Sequence, residues 1–314
     1  MTPLRVAVIG VGHVGRHHAR ILAGLPGVTL EAVVDRDAGR AAEAAHRTGA
    51  RALTDFRPLV DTVDAVSIAV PTAAHAEVAL PFLARGVAAL VEKPLARSVA
   101  DARLLVAEAA RHGAVLAVGH TERYNPAVRA ALPLVTAPRF IEVHRLGTFP
   151  DRSLDIDVVL DLMIHDLDVV LATVRSPVAA LEAVGVPVLT DRVDIANARL
   201  RFASGCIANL TASRISRDRI RKIRFFQPDA YVSIDCAARE AEAYRLVRRD
   251  GAGRPAIEGG RLPVDPGEPL EAELADFVRA ARDRGRPMVT GEDGLRALEL
   301  AEAVAAAIRA GAAG

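Results

Sequence analysis

The sequence has two cysteines, no long apolar run and almost no net charge, and each scarcity excludes a class of protein. Cys206 and Cys236 are too few for a disulfide framework. No apolar stretch reaches the roughly 18 residues of a membrane span. The N-terminal apolar run ends in glycines, without a signal-peptide cleavage site. We therefore expect a soluble protein in a reducing, cytoplasmic setting, with no membrane partner.

The charges of the chain nearly cancel, because 40 basic residues stand against 39 acidic ones. Proteins that bind nucleic acid carry a net basic surface, so no nucleic-acid partner is expected. Hydrophobic residues make up 51% of the chain and charged residues 25%, which is typical of a globular protein. At roughly 150 residues a domain, the length predicts about two domains.

Lysine is also scarce, since only Lys93 and Lys222 occur among the 40 basic residues. Arginine keeps its proton, whereas lysine can release one when its pKa is lowered. In a chain that otherwise uses arginine, each lysine is therefore a candidate for chemistry that arginine does not perform.

Strands and helices alternate through the first 120 residues. The predicted strands cover residues 4–9, 30–34, 64–70, 87–91 and 114–118. The predicted helices cover residues 14–25, 38–48, 73–85 and 98–112. Such alternation is typical of an α/β domain with a parallel, doubly wound sheet.

The pattern changes near residue 122, where we place a domain boundary. A short helix, a strand at 139–146 and a long helix at 155–174 come first. Six strands joined by short turns then favour an antiparallel meander. They cover residues 179–186, 193–202, 206–213, 220–226, 231–235 and 240–247. A loop at 249–268 and helices at 271–284 and 292–309 complete the expected second domain, residues 123–314.

A G-x-G-x-x-G motif directly follows the first predicted strand. Gly10 permits a tight turn, Gly12 lets the backbone approach a pyrophosphate, and Gly15 lets helix and strand pack closely. The N–H groups at the start of the next helix attract phosphate charge. The predicted cofactor loop is Gly10, Gly12, His13, Val14 and Gly15.

Asp35 ends the second predicted strand, 20 residues beyond Gly15. A carboxylate at this place accepts hydrogen bonds from the adenosine ribose and repels a 2′-phosphate, so NAD is favoured over NADP. The neighbouring Arg36 weakens that preference, because it could pair with a phosphate. The alternative is that the glycines serve a turn only and that Asp35 caps a helix.

Other motifs fall at the carboxyl ends of the predicted strands, where open parallel sheets bind ligands. They are Pro71-Thr72 with His75, Glu92-Lys93-Pro94, and Gly119-His120. A lysine near a cofactor's positive ring can hydrogen-bond a substrate hydroxyl and share its proton, which makes Lys93 a candidate. The alternative is a surface lysine in front of a segment that begins at Pro94.

The helix predicted at 155–174 is apolar on most faces but carries a polar stripe. At about 100° per residue, Asp157, Asp161, His165 and Asp168 fall within an arc of about 80°. Asp161 and His165 are four residues apart, so their side chains would meet, and a carboxylate raises the basicity of an imidazole that acts as general base. The alternatives are a solvated helix face or a metal site that adds His120.

Together these motifs resemble the glucose-fructose oxidoreductase / inositol dehydrogenase / rhizopine catabolism (Gfo/Idh/MocA) family. The resemblance follows the whole chain in order and is carried by G-V-G-H-V-G, Asp35, V-E-K-P at 91–94, G-H-T-E-R-Y-N-P at 119–126 and D-L-M-I-H-D at 161–166. It implies a Rossmann domain over residues 1–122 and a C-terminal α+β domain whose mainly antiparallel open sheet forms a homo-oligomer. It also implies NAD-dependent oxidation of a sugar or cyclitol ring carbon.

The resemblance assigns roles to particular residues. The family's lysine, aspartate and histidine triad corresponds to Lys93, Asp161 and His165. Members often have glycine two residues after the aspartate, where this chain has Met163, so we expect a different pocket shape with the chemistry kept. Further candidate substrate contacts are His120 and Asn125. Further candidate cofactor contacts are Asp35, Arg36, Pro71, Thr72, His75, Glu92 and Lys93.

A narrower resemblance, carried by residues 159–168, 194–202 and 208–214, is to a branch that includes UDP-N-acetylglucosamine 3-dehydrogenases of lipid A precursor pathways. It implies a UDP-sugar substrate whose diphosphate needs cations. The candidate cations are Arg214, Arg219, Arg221, Lys222 and Arg224. The alternative for these cations is a solvated strand face or a subunit contact. The alternatives for the whole chain are a dehydrogenase of a free sugar or inositol, and a non-catalytic sensor that binds NAD.

Overall fold

The structure is a computed structural model that describes residues 2–149, 156–247 and 256–311. The chain divides into two compact units. The first comprises Met1–Thr121 and Glu268–Leu298, and the second comprises Glu122–Gly267 and Glu299–Gly314. The first unit thus ends within one residue of the predicted boundary, but a C-terminal segment that we assigned to the second domain returns to it.

A six-stranded parallel sheet forms the centre of the first unit, in the order β3-β2-β1-β4-β5-β6. Its strands are β1 (Leu4–Ile9), β2 (Val28–Val34), β3 (Arg51–Leu53), β4 (Ala65–Ile68), β5 (Ala88–Glu92) and β6 (Leu116–Gly119). Its helices are α1 (Gly15–Gly24), α2 (Ala38–Thr48), α3 (His75–Leu83) and α4 (Val99–His112). The predicted doubly wound sheet is confirmed, and the short, mostly exposed β3 is the strand that the sequence pattern did not predict.

The C-terminal segment joins the first unit through its apolar side chains. Helix α7 (Pro269–Asp283) buries Leu274, Phe277 and Val278 in the same hydrophobic core as residues of β1, β2 and α1. Helix α8 (Gly291–Gly311) begins in this unit and ends in the second. The predicted second domain was therefore wrong for this segment. Helix α7 comes late in the sequence but covers the core of the first unit.

The second unit is built on an eight-stranded mixed sheet in the order β14-β13-β12-β11-β7-β10-β9-β8. Its strands are β7 (Phe140–Leu146), β8 (Val178–Val186), β9 (Ile195–Phe202), β10 (Ile207–Ser213), β11 (Ile220–Phe226), β12 (Ala230–Asp235), β13 (Glu240–Val247) and β14 (Ala256–Arg261). The other helices of this unit are α5 (Pro126–Ala131) and α6 (Ile164–Val174). The mainly antiparallel open sheet is confirmed.

Two features of this sheet differ from the predicted meander. Strand β7 lies between β10 and β11 and pairs parallel to β10, so the middle of the meander is wrong. Strand β14 occupies part of the segment predicted as the loop 249–268, of which residues 249–255 lie outside the described residues. At Gly259 a Cβ would come within 2.0 Å of the Ala243 carbonyl oxygen, so glycine allows β14 to pair closely with β13.

Alternation along the strands divides the side chains of this sheet between two faces. Ile141 and Val143 of β7 are buried on one face, whereas Phe140, Glu142 and His144 are half-buried on the other, which we call the open face. Over residues 2–149, 156–247 and 256–311, no helix is both long enough and apolar enough to cross a membrane.

Candidate active site

The glycine loop between β1 and α1 leaves room for a ligand. Gly10 has a φ of 85°, and a Cβ there would come within 2.6 Å of the Ala69 carbonyl oxygen. A Cβ at Gly15 would lie 1.8 Å from the Gly10 carbonyl oxygen. A Cβ at Gly12, by contrast, would meet nothing within 4 Å. The outer glycines are thus required by packing, and the middle one borders open space that fits an approaching pyrophosphate.

Asp35 connects the end of β2 to this loop. Its Oδ2 accepts a hydrogen bond from the Val11 N–H at 3.1 Å, and its Oδ1 accepts one from the Asp37 N–H at 3.0 Å. Burial acts to raise the pKa of Asp35, but the hydrogen bonds from Arg40, Asp37 and Val11 bring it below its usual value. Asp37 caps α2, so the helix-cap alternative for Asp35 is wrong. An ionised carboxylate at this position fits the ribose of NAD.

Arg40 is a residue of this region that sequence reasoning missed. Its Nη2 donates to Asp35 Oδ1 at 2.8 Å, whereas Arg36, which we singled out from the sequence, is exposed. Arg40 lies on the first turn of α2, one helical turn beyond the strand end. The position of Arg40, one helical turn beyond the end of β2, is the sequence signal that could have identified it as a partner of Asp35.

Glu92 and Lys93 follow each other at the end of β5. The Glu92 carboxylate accepts a hydrogen bond from the backbone N–H of Lys93 at 3.2 Å, and its other oxygen lies 3.1 Å from Nε2 of the buried His18. The Nδ1 atom of His18 lies 2.7 Å from Ser67 Oγ. Sequence reasoning missed His18 and Ser67, although His18 stands three residues after the last glycine of the loop.

His75 links the loops that follow β4 and β5. Its ring is buried, with Nδ1 3.0 Å from the Pro94 carbonyl oxygen and Nε2 3.0 Å from the Val70 carbonyl oxygen. Burial lowers the pKa of His75 more than these carbonyl groups raise it. These contacts give His75 a bracing role between the two loops, and its direct contact with the cofactor remains a prediction. The neighbouring Pro71 is exposed and Thr72 is half-buried.

The two further candidate substrate contacts have different surroundings. His120 is fully buried just after β6. Asn125 is buried in the second unit, where its Oδ1 accepts from the Ala127 N–H and caps α5. Its Nδ2 donates to Glu122 Oε1 and to the Cys236 carbonyl oxygen, both at 2.9 Å. These hydrogen bonds give Asn125 a structural role, and its contact with the substrate remains a prediction.

The long helix predicted at 155–174 is a π-helical turn followed by an α-helix. The π-helical turn is Val159–Met163, and α6 begins at Ile164. A step of about 100° per residue holds for an α-helix, so it does not apply through the turn that contains Asp161. His165 is the second residue of α6, and both side chains are half-buried. Single π-helical turns are frequent at functional sites.

Two other members of the predicted polar stripe have structural partners. Asp157 accepts from the N–H groups of Val159 and Leu160, both at 3.0 Å, and so caps the π-helical turn. Asp168 is buried, and Arg123 lies 3.3 Å from its carboxylate. The stripe is therefore not a single solvated face, and Asp161 and His165 are its remaining candidates for chemistry.

A buried ionic network lies beside these candidates in the second unit. Arg145 contacts Asp166 at 2.7 and 2.8 Å and Glu122 at 2.7 Å. Burial acts to lower the pKa of Arg145, but the two carboxylates raise it well above its usual value. Burial raises the pKa of Asp166, and Arg145 opposes that shift. The network fixes the residue that follows His165 on α6.

The basic cluster proposed for a diphosphate is dispersed in the structure. Arg214 is buried, with its Nε 2.8 Å from Asp194 Oδ1. Alternation along β11 places Lys222 and Arg224 on the open face and Arg221 on the opposite one. These side chains therefore do not form one cationic site. In the part of the chain that the structure describes, no three His, Cys, Asp or Glu side chains are arranged to hold a metal ion.

Comparisons with known proteins agree with this architecture. Residues 4–120 match an oxidoreductase family described by its NAD-binding Rossmann fold, and residues 138–228 match the GFO/IDH/MocA C-terminal domain. The chain is 38% identical over 311 residues to a UDP-N-acetylglucosamine 3-dehydrogenase of Acidithiobacillus ferrooxidans, covering 99% of each chain. A solved structure of that dehydrogenase matches with a TM-score of 0.90 and the same coverage.

Two more distant relatives share part of the sequence or the fold. An inositol 2-dehydrogenase of Leifsonia xyli is 36% identical over 189 residues, which cover 57% of this chain and 56% of that one. A levoglucosan dehydrogenase solved with NADH has a TM-score of 0.86 at 20% identity, covering 98% of this chain and 97% of that one. This last likeness concerns the fold alone.

Proposed function

Because the chain belongs to the Gfo/Idh/MocA family of NAD-binding oxidoreductases, we propose that it oxidises UDP-N-acetylglucosamine at carbon 3 of the sugar ring. The observation that carries this proposal is the 38% identity, over 99% of the chain, to the Acidithiobacillus ferrooxidans enzyme of that name. The resemblance of residues 159–168, 194–202 and 208–214 to the same branch supports it independently of the first unit.

We propose that the first unit holds NAD through the glycine loop and Asp35. The open space at Gly12 accommodates the pyrophosphate, and the ionised Asp35 accepts hydrogen bonds from the adenosine ribose. When bound, NAD accepts the hydride that leaves the oxidised carbon. The other proposed cofactor contacts are His13, Val14, Arg36, Pro71, Thr72, Glu92 and Lys93.

The proposed acid–base residues are Lys93, Asp161 and His165, acting on one substrate hydroxyl. His165 takes the hydroxyl proton, and Asp161 orients and stabilises the imidazolium that forms. Lys93 donates a hydrogen bond to the same oxygen and stabilises negative charge as it develops there. Three observations support these roles: the scarcity of lysine, the π-helical turn at Asp161, and the placement of Lys93 directly after a parallel strand.

A panel of substrates tests the proposed function. NADH formation, followed by absorbance, should be fastest with UDP-N-acetylglucosamine when that compound is compared with UDP-glucose, free N-acetylglucosamine and inositol. Faster turnover of inositol or of the free sugar would overturn the substrate assignment. NAD binding without NADH formation from any of them would instead favour the sensor alternative.

Substitution of Asp35 tests the cofactor site separately from the chemistry. The Asp35→Ala variant should raise the Kd for NAD about 10- to 100-fold, because a hydrogen bond to a charged group contributes roughly 1.5–3 kcal/mol. Isothermal titration calorimetry with NAD measures this Kd. Asp61→Ala, which removes a surface carboxylate paired with Arg85 in the same unit, is the control and should leave the Kd unchanged. An unchanged Kd in Asp35→Ala would rule out the ribose contact.

We also propose that the chain forms a homo-oligomer through the open face of its second sheet. A row of aromatic rings crosses that face, with centroids of Phe140 and Phe226 5.5 Å apart and those of Phe226 and Tyr231 5.2 Å apart. Sedimentation as a single 33.2 kDa species would contradict this assembly.

A further inference from the structure

A buried chain of polar side chains in the first unit ends on the backbone of Lys93. Ser67 Oγ of β4 lies 2.7 Å from His18 Nδ1, and His18 Nε2 of α1 lies 3.1 Å from Glu92 Oε1. The other carboxylate oxygen of Glu92 accepts the backbone N–H of Lys93 at 3.2 Å. His18 and Ser67 are both fully buried. The large majority of buried polar side chains in proteins have a polar partner, and here the partners come from neighbouring elements.

The two ring nitrogens of His18 face different partners: Nε2 faces the Glu92 carboxylate across 3.1 Å, and Nδ1 faces the Ser67 hydroxyl across 2.7 Å. Burial acts to raise the pKa of Glu92, but the hydrogen bond from His18 and the charges of His18 and Lys93 hold it below its usual value. Glu92 is therefore an ionised group in surroundings where an unpaired charge is strongly destabilising.

The fold also restricts where the Glu92 side chain can lie. Glu92 pairs in register with Gly119 of β6, and a Cβ at Gly119 would come within 2.9 Å of Glu92 Cδ. A glycine at position 119 thus leaves the space that the carboxyl group occupies. The His18 side chain of α1 and the backbone of β6 thus lie against one carboxylate, which in turn accepts from the residue that follows it.

This arrangement connects the two halves of the proposed site within the first unit. His18 lies on α1, the helix into which the glycine loop runs, and Glu92 precedes Lys93. We propose that His18 and Glu92 form a positioning pair that fixes the main chain at Lys93 and thereby presents its amine. The effect on catalysis rests on the proposed function, whereas the effect on the Lys93 amine does not.

The composition of the chain provides a direct reporter of that amine. Lys93 and Lys222 are its only lysines, so acetylation by a limiting amount of acetic anhydride, followed by peptide mass spectrometry, gives the reactivity of each. Lys222 lies on β11 of the second unit, 3.6 Å from Asp235, and serves as the internal standard. The ratio of Lys93 to Lys222 acetylation requires neither substrate nor turnover.

Three variants separate positioning from general stability. His18→Leu keeps an apolar side chain of moderate size but removes both ring nitrogens, and His18→Gln keeps an N–H that can reach Glu92. Leu22→Ala is the matched control, because Leu22 is fully buried on the same helix and lies in the hydrophobic core. Each variant is compared with the parent chain by acetylation ratio, Tm, NAD Kd and kcat.

We expect His18→Leu to change the acetylation ratio at least about threefold and to lower kcat about 10- to 100-fold, as loss of a hydrogen bond to a charged group would. The NAD Kd should change by less than about threefold, since the glycine loop and Asp35 remain. His18→Gln should return both the acetylation ratio and kcat most of the way to the values of the parent chain. Leu22→Ala should lower Tm and leave the acetylation ratio unchanged.

Two results would overturn the positioning pair. One is an unchanged acetylation ratio in His18→Leu. The other is an equal change in Leu22→Ala, which would make the effect one of stability alone. If His18→Leu does not fold, Glu92→Gln takes its place, because it keeps the shape of the side chain, removes the charge and should change the ratio in the same direction. If the parent chain oxidises no sugar, the proposed function fails, and the acetylation ratio still decides this inference.

Discussion

Replacing His165 with alanine should lower kcat by about 10²–10⁴-fold, the contribution that a positioned general base makes. Without the imidazole, the substrate hydroxyl loses the group that is proposed to take its proton. Steady-state NADH formation with UDP-N-acetylglucosamine measures the loss. The NAD Kd should not change, because the proposed NAD contacts lie in the first unit and His165 lies in the second.

The control for this variant is His144→Ala. His144 is half-buried on the open face of β7, away from the residues proposed for chemistry, so its removal should leave kcat close to that of the parent chain. A kcat of His165→Ala within about threefold of the parent, less than the loss of one ordinary hydrogen bond, would remove His165 from the mechanism.

Replacing Lys93 with alanine should lower kcat by about 10²–10³-fold, the effect of removing one donor that stabilises a developing oxyanion. Lys93→Arg keeps a positive charge but has a planar, bulkier head group that does not release its proton. We therefore expect the arginine variant to stay at least about tenfold below the parent, because one hydrogen bond to a charged group is misplaced. NADH formation and NAD binding are measured together.

The chain supplies its own control in the second lysine. Lys222→Ala removes a cation from the open face of β11 and should leave kcat unchanged. Full activity in Lys93→Arg would show that charge alone suffices. Full activity in Lys93→Ala would exclude any catalytic role for this residue.

Local signals in the sequence predicted much of the first unit. Helix α2 begins after Asp37, whose carboxylate accepts the Arg40 N–H, and ends at Gly49 in the left-handed region. Helix α4 is bounded in the same way by Ser98 and Gly113. Caps of this kind depend on residues within one turn of the helix end, so the sequence contains the information that sets these limits.

Long-range packing determined the features that the sequence did not predict. Nothing near β10 or β11 in the chain indicates that β7 lies between them, and nothing near Phe277 indicates the core that it joins. The π-helical turn Val159–Met163 lies within the segment that the sequence predicted as one α-helix. These features depend on partners many residues away, and local propensity does not encode them.

In the candidate site, too, local signals predicted the role of some residues, whereas the role of others depends on partners far away in the chain. Asn125 precedes a proline, a usual helix-start signal, and the structure gives it the corresponding capping role. The sequence predicts Arg214 as a diphosphate ligand, but in the structure it donates to Asp194, which lies 20 residues earlier in the chain. His18 was missed for the opposite reason, since its partners Ser67 and Glu92 lie on other strands and become neighbours only in the folded sheet.

The transfer of deuterium tests the central claim most directly. UDP-N-acetylglucosamine carrying deuterium at carbon 3 is incubated with the protein and NAD, and the NADH formed is analysed by mass spectrometry. The account predicts deuterated NADH from this substrate and unlabelled NADH from the same compound deuterated at carbon 4. Unlabelled NADH from the carbon 3 substrate, or label arriving from carbon 4, would contradict it.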